Sequence, residues 1–542
     1  MKLWFDIESD GLLDVMTKIH CLVIIDENNK VFSCADQKGY MPITEGLALL
    51  SEADEIIAHN GQNFDCPAIK KIHPKWTYKK CIDTLIFARL VYPHIWDIDM
   101  VEKKTERMGS HALEAWGQRL GEPKTEFKTD WKTWSKIMQD YCVQDVVVLK
   151  RLYEKLISAE FHDSAIQLEH EFAACLQKQM QNGVPFDIKK ATALKDVLLA
   201  EKEKVATQAK EIFPEMEKKE IFIPKRDNAA KGYRKGIPFA KITKTTINLG
   251  SRKQVGDYFK EKYGWQPREL TDKGNAKLNS EVFDKLPYAE APIVSKYLEV
   301  NKRISQLSTG NGALIEQVKD GHIYGYINHN GARTGRCTHS RPNVSQVPSP
   351  KKLYGKEFRE LFHAPTGKVF VGTDLKGIEL RTLAHYLKHY DDGNYIKILL
   401  DGDIHIANQE AAGLATRDQA KTFIYALNYG AGNEKLGTIL KPEAGKDEKI
   451  RLGKQARESF LTKMPGIRDL IADVKHTFKI RGFISGLDGR RLVPRAEYSS
   501  LNILLQSAGA VIVKKWTCLV NEMLTDVDFQ EHIHSHDEIL LS

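Results

Sequence analysis

A chain of 542 residues with 80 Lys+Arg against 72 Asp+Glu, a formal charge of +8, is several domains long at about one domain per 100–200 residues. Its 42% apolar and 28% charged fractions are those of an ordinary globular protein, which excludes a small module and a disordered chain. No apolar run approaches about 18 residues, and Asp6 and Glu8 interrupt the N-terminal stretch, so neither a membrane span nor a signal peptide is expected.

The charge is uneven along the chain. Residues 1–160 hold 21 basic and 25 acidic residues, leaving 59 against 47 for residues 161–542. That division predicts a slightly acidic N-terminal unit joined to a body suited to polyanions. The eight cysteines (Cys21, Cys34, Cys66, Cys81, Cys142, Cys175, Cys337, Cys518) are never closer than 13 residues apart. This excludes zinc-type CxxC pairs and predicts reduced, buried thiols in a cytoplasmic protein.

In the first 160 residues, Leu3–Ile7, Cys21–Ile25 and Glu55–Ala58 read as strands, followed by helices near 83–91, 110–120 and 131–157. The alternation predicts an α/β domain. In the first strand Asp6 and Glu8 share one face, and two adjacent carboxylates repel unless a cation lies between them. A turn from His59 to Asp65 presents another acid, and Tyr141 and Asp145 stack at i,i+4 on the helix. Taken singly, these also read as a strand reaching solvent, a polar turn and a helix surface.

Together, in this order and spacing, the three segments resemble the exonuclease motifs of the DnaQ-like 3′–5′ exonucleases. The resemblance implies an RNase H-like fold in which Asp6, Glu8, Asp65 and Asp145 hold two Mg²⁺ ions and Tyr141 orients the attacking water.

Leu168–Gln181 and Lys189–Ile212 read as long amphipathic helices separated by a Gly/Pro-bearing break at 182–187. Residues 221–252 carry eight Lys/Arg and one acid, with Gly232, Gly236 and Pro238 opposing a long helix. A mobile basic surface loop and a DNA contact are both compatible with that composition.

Farther on, Thr416 and Gln419 form a capping box opening a helix on which Arg417, Lys421, Tyr425 and Tyr429 recur every four residues. Cations at the positive end of a helix suit a triphosphate and aromatics beyond them suit a base, although an ordinary amphipathic helix has the same pattern. Lys368–Thr373 reads as a buried strand delivering Asp374, followed by a helix that begins near Glu379. Ile533–Ile539 places His536, Asp537 and Glu538 at a hairpin tip. Asp374 and Asp537 are therefore candidates for a second paired-carboxylate site.

The Asp374–Arg381 segment, the Arg417–Tyr429 helix and His536-Asp537-Glu538 resemble motifs A, B and C of family A DNA polymerases. Thr334-Gly335-Arg336 with Pro342-Asn343, Gly402-Asp403-Ile404-His405 and Asn502–Gln506 match as well. With Ser110–Gly117 and Leu505–Ala510, the pattern is similar to replicative polymerases of short-tailed, T-odd-type phages. The implied architecture is an exonuclease domain over 1–160 and a right-hand α+β polymerase. Its thumb spans 161–330 with the short basic insertion, its palm 331–400 and 485–542, and its fingers 401–484.

The same resemblance implies two Mg²⁺ ions on Asp374 and Asp537, with Mn²⁺ able to substitute. Arg417, Lys421 and His405 hold the triphosphate, and Lys421 protonates the departing pyrophosphate. Tyr425 stacks near the incoming nucleotide and Tyr429 near the templating position, Glu379 excludes a ribose 2′-hydroxyl, and Arg336, Asn502 and Gln506 read the minor groove. His536 and Glu538 flank the metal-binding acid. Tyr at position 425 implies acceptance of dideoxynucleotides. The implied partners are primer-template DNA, dNTPs, a helicase-primase and a single-strand binding protein, with the host bacterial cytoplasm as the location. The short interval between Asp145 and Arg336 argues against thioredoxin dependence. Lys376 stands where the family usually has a small residue. The chain stops at Ser542, four residues after Glu538, where the family continues with a return strand and helix. This predicts an incomplete palm, from a shortened sequence or from a split gene. The alternative function is therefore an exonuclease-competent large fragment that needs a C-terminal polypeptide for synthesis.

Overall fold

The computed structural model describes residues 1–102, 106–122, 130–267, 270 and 276–542, with backbone alone for 216–220 and 241–245. Two compact units form. One comprises Met1–Asn182, Ile327–Thr338 and Val371–Ser542, and the other Gly183–Tyr326 and His339–Phe370.

The N-terminal part of the first unit is built from β1 (Lys2–Ser9), β2 (Ile19–Ile25), β3 (Val31–Cys34), α1 (Ile43–Glu52), β4 (Glu55–Ala58), α2 (Asp65–Ile72), β5 (Cys81–Asp83), α3 (Thr84–Val91), α4 (Ile95–Val101), α5 (Leu113–Leu120), α6 (Lys136–Ile157) and α7 (Asp163–Asn182). The sheet runs in the order β3-β2-β1-β4-β5. β1 is antiparallel to β2 and parallel to β4. The period-2 pattern of β1 divides its side chains between two cores. Leu3, Phe5 and Ile7 join Ile43, Leu47 and Ile69 of α1 and α2, whereas Trp4 packs with Phe87, Met138 and Leu149 of α3 and α6. Asp6 and Glu8 thus lie on the face that α6 covers. Phe5 is fully buried, so Phe5→Ala would cost about 3–5 kcal/mol.

In the C-terminal part of this unit the helices Ile378–Leu387, Arg417–Asn428, Lys446–Lys463, Pro465–Arg481 and Ser500–Met523 share one core, which includes Leu383, Phe423, Phe460 and Leu504. The stretch Glu497–Met523 is long and apolar enough to cross a membrane by length and composition alone, yet its most apolar window is 67% buried within the protein.

A three-stranded antiparallel sheet completes this part, in the order Val371–Asp374, Glu538–Leu541, Glu531–Ser535. Two expectations change here. Lys368–Thr373 is not a buried strand: only Val371–Asp374 is extended, an edge strand with one neighbour, and Val369 before it and Val371 within it are 73% and 50% exposed. The return strand expected to be missing is present as Glu538–Leu541, and it occupies the centre of the sheet.

The second unit packs the helices Ile188–Ile212, Arg252–Tyr263 and Ala291–Ile304 around Phe213, Phe259, Phe283 and Val294. A hairpin pairing Met216–Phe222 with Phe239–Thr245 runs into the basic 221–252 stretch, so much of the segment read as a loop is a ribbon and its connection. In that connection Lys225, Arg226, Lys231, Arg234 and Lys235 are exposed, and the Asp227 carboxylate accepts a hydrogen bond from the Lys235 amide.

Candidate active sites

The first site lies where β1 meets α6. Ligand atoms of Asp6, Glu8 and Cys142 fall within 4.8 Å of one another. Burial and neighbouring groups hold the Cys142 thiol well above its usual range, so it stays protonated and donates to the Asp6 carbonyl and carboxylate at 3.4 and 3.7 Å. Asp65 opens α2, is 2% exposed, and one of its carboxylate oxygens has no hydrogen-bond partner. Burial raises its pKa, opposed by hydrogen bonds from backbone amides that include that of Ile7, between Asp6 and Glu8. Asp145 is buried on α6 and Tyr141, one turn earlier, is half-buried with its ring edge-on to Trp131. Asp65 and Asp145 are not within the 4.8 Å group.

The unpartnered Asp65 oxygen and the clustered carboxylates of Asp6 and Glu8 are hard oxygen donors, a chemistry that fits a divalent cation such as Mg²⁺. Asp83 was not apparent in the sequence as part of this site. Its fully buried carboxylate accepts hydrogen bonds from the amides of Asn60 and Gln62 at 2.9 and 3.1 Å and caps α3 through the Leu85 amide. It thereby fixes the turn that leads to Asp65. The signal was an acid immediately before an apolar helix, the pattern of an N-cap.

The second site gathers at one end of the small sheet. Asp374 is the last residue of its strand and pairs with Glu538, while the Leu375 amide donates to the Asp537 carbonyl at 3.0 Å. The hairpin tip is His536-Asp537, and His536 adopts φ 57°, a left-handed conformation that costs a non-glycine residue about 1–2 kcal/mol. That turn sets Asp537 beside Asp374. The site leaves Asp374 exposed and Asp537 half-buried, again an oxygen donor set suited to a divalent cation.

The helix Arg417–Asn428 borders this end. Thr416 caps it, while Ala420, Phe423, Ile424 and Leu427 are buried; Arg417, Lys421 and Tyr429 are exposed, with Tyr425 half-buried. Arg417 pairs with Asp403 at 2.8 Å, and Asp403 caps the helix carrying His405. His405 is held below its usual pKa by burial and by Arg417 and Lys421, which places those three groups together.

Glu379 accepts a hydrogen bond from the Tyr429 hydroxyl at 2.7 Å and a longer one from Arg336 at 3.4 Å, leaving its second oxygen without a partner. Burial and Glu379 push the Tyr429 phenol up to about 12. The Tyr425 phenol is also raised, by burial and then by Glu379 and Asp537. Burial lowers the His536 pKa and Arg336 lowers it further, with Asp537 opposing. Asn502 and Gln506 stand one turn apart on the half-buried face of the helix Ser500–Met523, between buried Leu501, Ile503, Leu504 and Leu505.

Sequence reading also missed a buried ionic hub. Glu169 of α7 is fully buried and accepts hydrogen bonds from Lys514 and Arg490 at 2.5 and 2.8 Å, with His329 at 2.7 Å. Burial lowers the His329 pKa to about 4, against the pull of Glu169, so the ring is neutral near pH 7.

An acid-lined sheet under one helix and a second acid pair beside a cation–aromatic helix thus occur in one chain. Residues 3–157 match the RNase H superfamily and residues 233–542 match DNA polymerase family A. The chain belongs to DNA polymerase family A and is a DNA-directed DNA polymerase.

It is 34% identical to the DNA-directed DNA polymerase of Escherichia phage T7 over 664 aligned positions, covering 98% of this chain and 93% of that protein. The polymerase of Enterobacteria phage T3 gives 34% identity with the same coverage of both chains. Because the alignments exceed 542 positions, these relatives carry segments that this chain lacks. The POL domain of Pol1 from M. smegmatis, solved in complex with DNA primer-template and dNTP, shares the fold at a TM-score of 0.73 and 19% identity. That match covers 99% of this chain and 89% of the other. The alternative of a large fragment awaiting a C-terminal polypeptide gains no support from these alignments. Family A polymerases and RNase H-like domains use divalent metal ions.

Proposed function

We propose that this polymerase extends primers on a DNA template in phage replication and proofreads with a 3′–5′ exonuclease over residues 1–160, each site using two Mg²⁺ ions. The observation that carries the synthetic half is the register of Asp374 against Glu538, which sets Asp374 beside the Asp537 turn. Thumb, palm and fingers are assigned to 161–330, 331–400 with 485–542, and 401–484.

In synthesis, Asp374 and Asp537 hold the divalent ions, which supply Lewis acidity and neutralise phosphate charge. Arg417, Lys421 and His405 orient the triphosphate, and Lys421 donates a proton to the leaving pyrophosphate. The half-buried Tyr425 offers its ring to the incoming nucleotide. Glu379, oriented by Tyr429, fills the space a ribose 2′-hydroxyl would need and so rejects it. Arg336, Asn502 and Gln506 donate to the minor-groove acceptors common to every correct pair. His536 and Glu538 shape the tip that presents Asp537.

In proofreading, Asp6, Glu8, Asp65 and Asp145 hold the ions and Tyr141 orients the attacking water. The exposed cations at 225–235 suit duplex phosphates.

Primer extension by the purified chain with Mg²⁺ and dNTPs tests the reading. Extension, with termination by dideoxynucleotides within about tenfold of normal incorporation, is expected. Degradation without extension would refute the synthetic assignment. Product lengths on primed single-stranded DNA are expected to be the same with and without thioredoxin.

A further inference from the structure

We infer that the exonuclease-type domain is a strut for the polymerase site: Asp97 and the Arg89 carbonyl hold the 329–336 loop that carries Arg336. The inference rests on the proposed contact of Arg336 with the minor groove of the primer-template.

The loop is anchored at successive points within one compact unit. His329 bonds the buried Glu169 at 2.7 Å. The Asn330 side-chain amide donates to the Arg89 carbonyl of α3 at 2.8 Å. Arg333 forms an ion pair with Asp97 of α4. The loop then turns, with the Gly335 amide on the Ala332 carbonyl at 2.8 Å and the Ala332 amide on the Arg336 carbonyl at 3.1 Å. Gly335 has φ 79°, and a Cβ there would meet Arg490 at 2.5 Å, so the turn requires glycine. Beyond it Arg336 reaches Glu379, which also holds Tyr429. On the other side, α3 begins at Asp83, whose carboxylate fixes the Asn60–Gln62 turn of the nuclease-type site.

An untethered loop must be ordered when DNA arrives, at a cost in conformational entropy for each residue fixed. Anchoring to α3 and α4 removes that requirement, so Arg336 meets the primer already in place. Asp97 and Arg333 are positioning residues, and the domain that competes for the primer also steadies the site that extends it.

The test uses the full chain with Asp97→Asn, and the charge swap Asp97→Arg with Arg333→Asp, beside Arg336→Ala. Because the Asp97 side chain is 43% exposed, Asp97→Asn is expected to leave melting unchanged. Asp97→Asn should raise KM for primer-template about threefold to fivefold, the scale of a partly exposed ion pair, while kcat stays within about twofold. Conversion of dNTP to dNMP on a matched primer should rise by a similar factor, hydrolysis of single-stranded DNA should not change, and the swap should restore the parent KM. An unchanged KM in Asp97→Asn while Arg336→Ala raises it overturns the strut. A swap that folds but restores nothing also overturns it. An unchanged KM in Arg336→Ala overturns the assignment of Arg336, and the inference with it.

Discussion

The two acid sites are built in opposite ways. Glu8 of β1, Asp65 of α2 and Asp145 of α6 are 8%, 2% and 6% exposed, whereas Asp374 is exposed at the end of an edge strand and Asp537 lies on a hairpin tip. A nuclease site that takes one strand end can be enclosed and preset, with a cation reversing the burial penalty on its carboxylates. A site that admits a duplex and a triphosphate must stay open, and it relies on backbone register to place its acids. The contrast explains why one site is fixed by side-chain packing and the other by a strained turn and a strand pairing.

Breaking either member isolates it. Asp374→Asn should reduce extension by a factor on the order of 10³ or more while single-strand hydrolysis is retained, and Asp6→Ala with Glu8→Ala should do the reverse. Joint loss in a folded variant, checked by melting, would defeat the two-site reading. Asp83→Ala probes the enclosed site next, leaving the amides of Asn60, Gln62 and Leu85 without their acceptor at about 1–3 kcal/mol each. Nuclease rates should fall about tenfold to hundredfold with extension unchanged; equal losses in both would show a general folding defect. In the open site, Glu379→Ala should admit ribonucleotides about tenfold more readily, and unchanged ribose discrimination would remove Glu379 from that role.

The smallest effect is on stability. Glu531 lies in the sheet that carries Asp537, and burial pushes its carboxyl up from 4.5 to about 7. Because the folded value is raised, its contribution is fully present below pH 4.5 and lost as pH rises through 7. Glu531→Gln should therefore stabilise the chain by on the order of 1–3 kcal/mol at pH 8 and little at pH 4, read as a difference between the two melting curves.

What the sequence disclosed follows the same contrast. The alternation of Leu3–Ile7 and the four-residue spacing of Arg417–Tyr429 are local periodicities, so β1 and the cation–aromatic helix were legible, although the acid-bearing face of β1 is covered by α6 rather than open to solvent. Two strands were missed: Val31–Cys34, whose apolar run Ser33 interrupts, and Cys81–Asp83, only three residues long. Glu169 and Lys514 are 345 positions apart and meet only through tertiary packing, so a lysine inside an apolar helix was their one trace. The tip acids were recognised, but the return strand Glu538–Leu541 was overlooked because only four residues follow Glu538 and their pairing partners lie elsewhere in the chain.

The most direct measurement follows one labelled primer, mismatched at its 3′ end, on a template with Mg²⁺ and dNTPs, for the parent chain and for the Asp374→Asn and Asp6→Ala/Glu8→Ala variants. The account predicts trimming followed by extension for the parent, trimming alone for the first variant, and neither rapid trimming nor efficient extension for the second until a matched primer is supplied. Trimming by the second variant at the parent rate, or extension by the first, would contradict two separate acid sites in one polymerase.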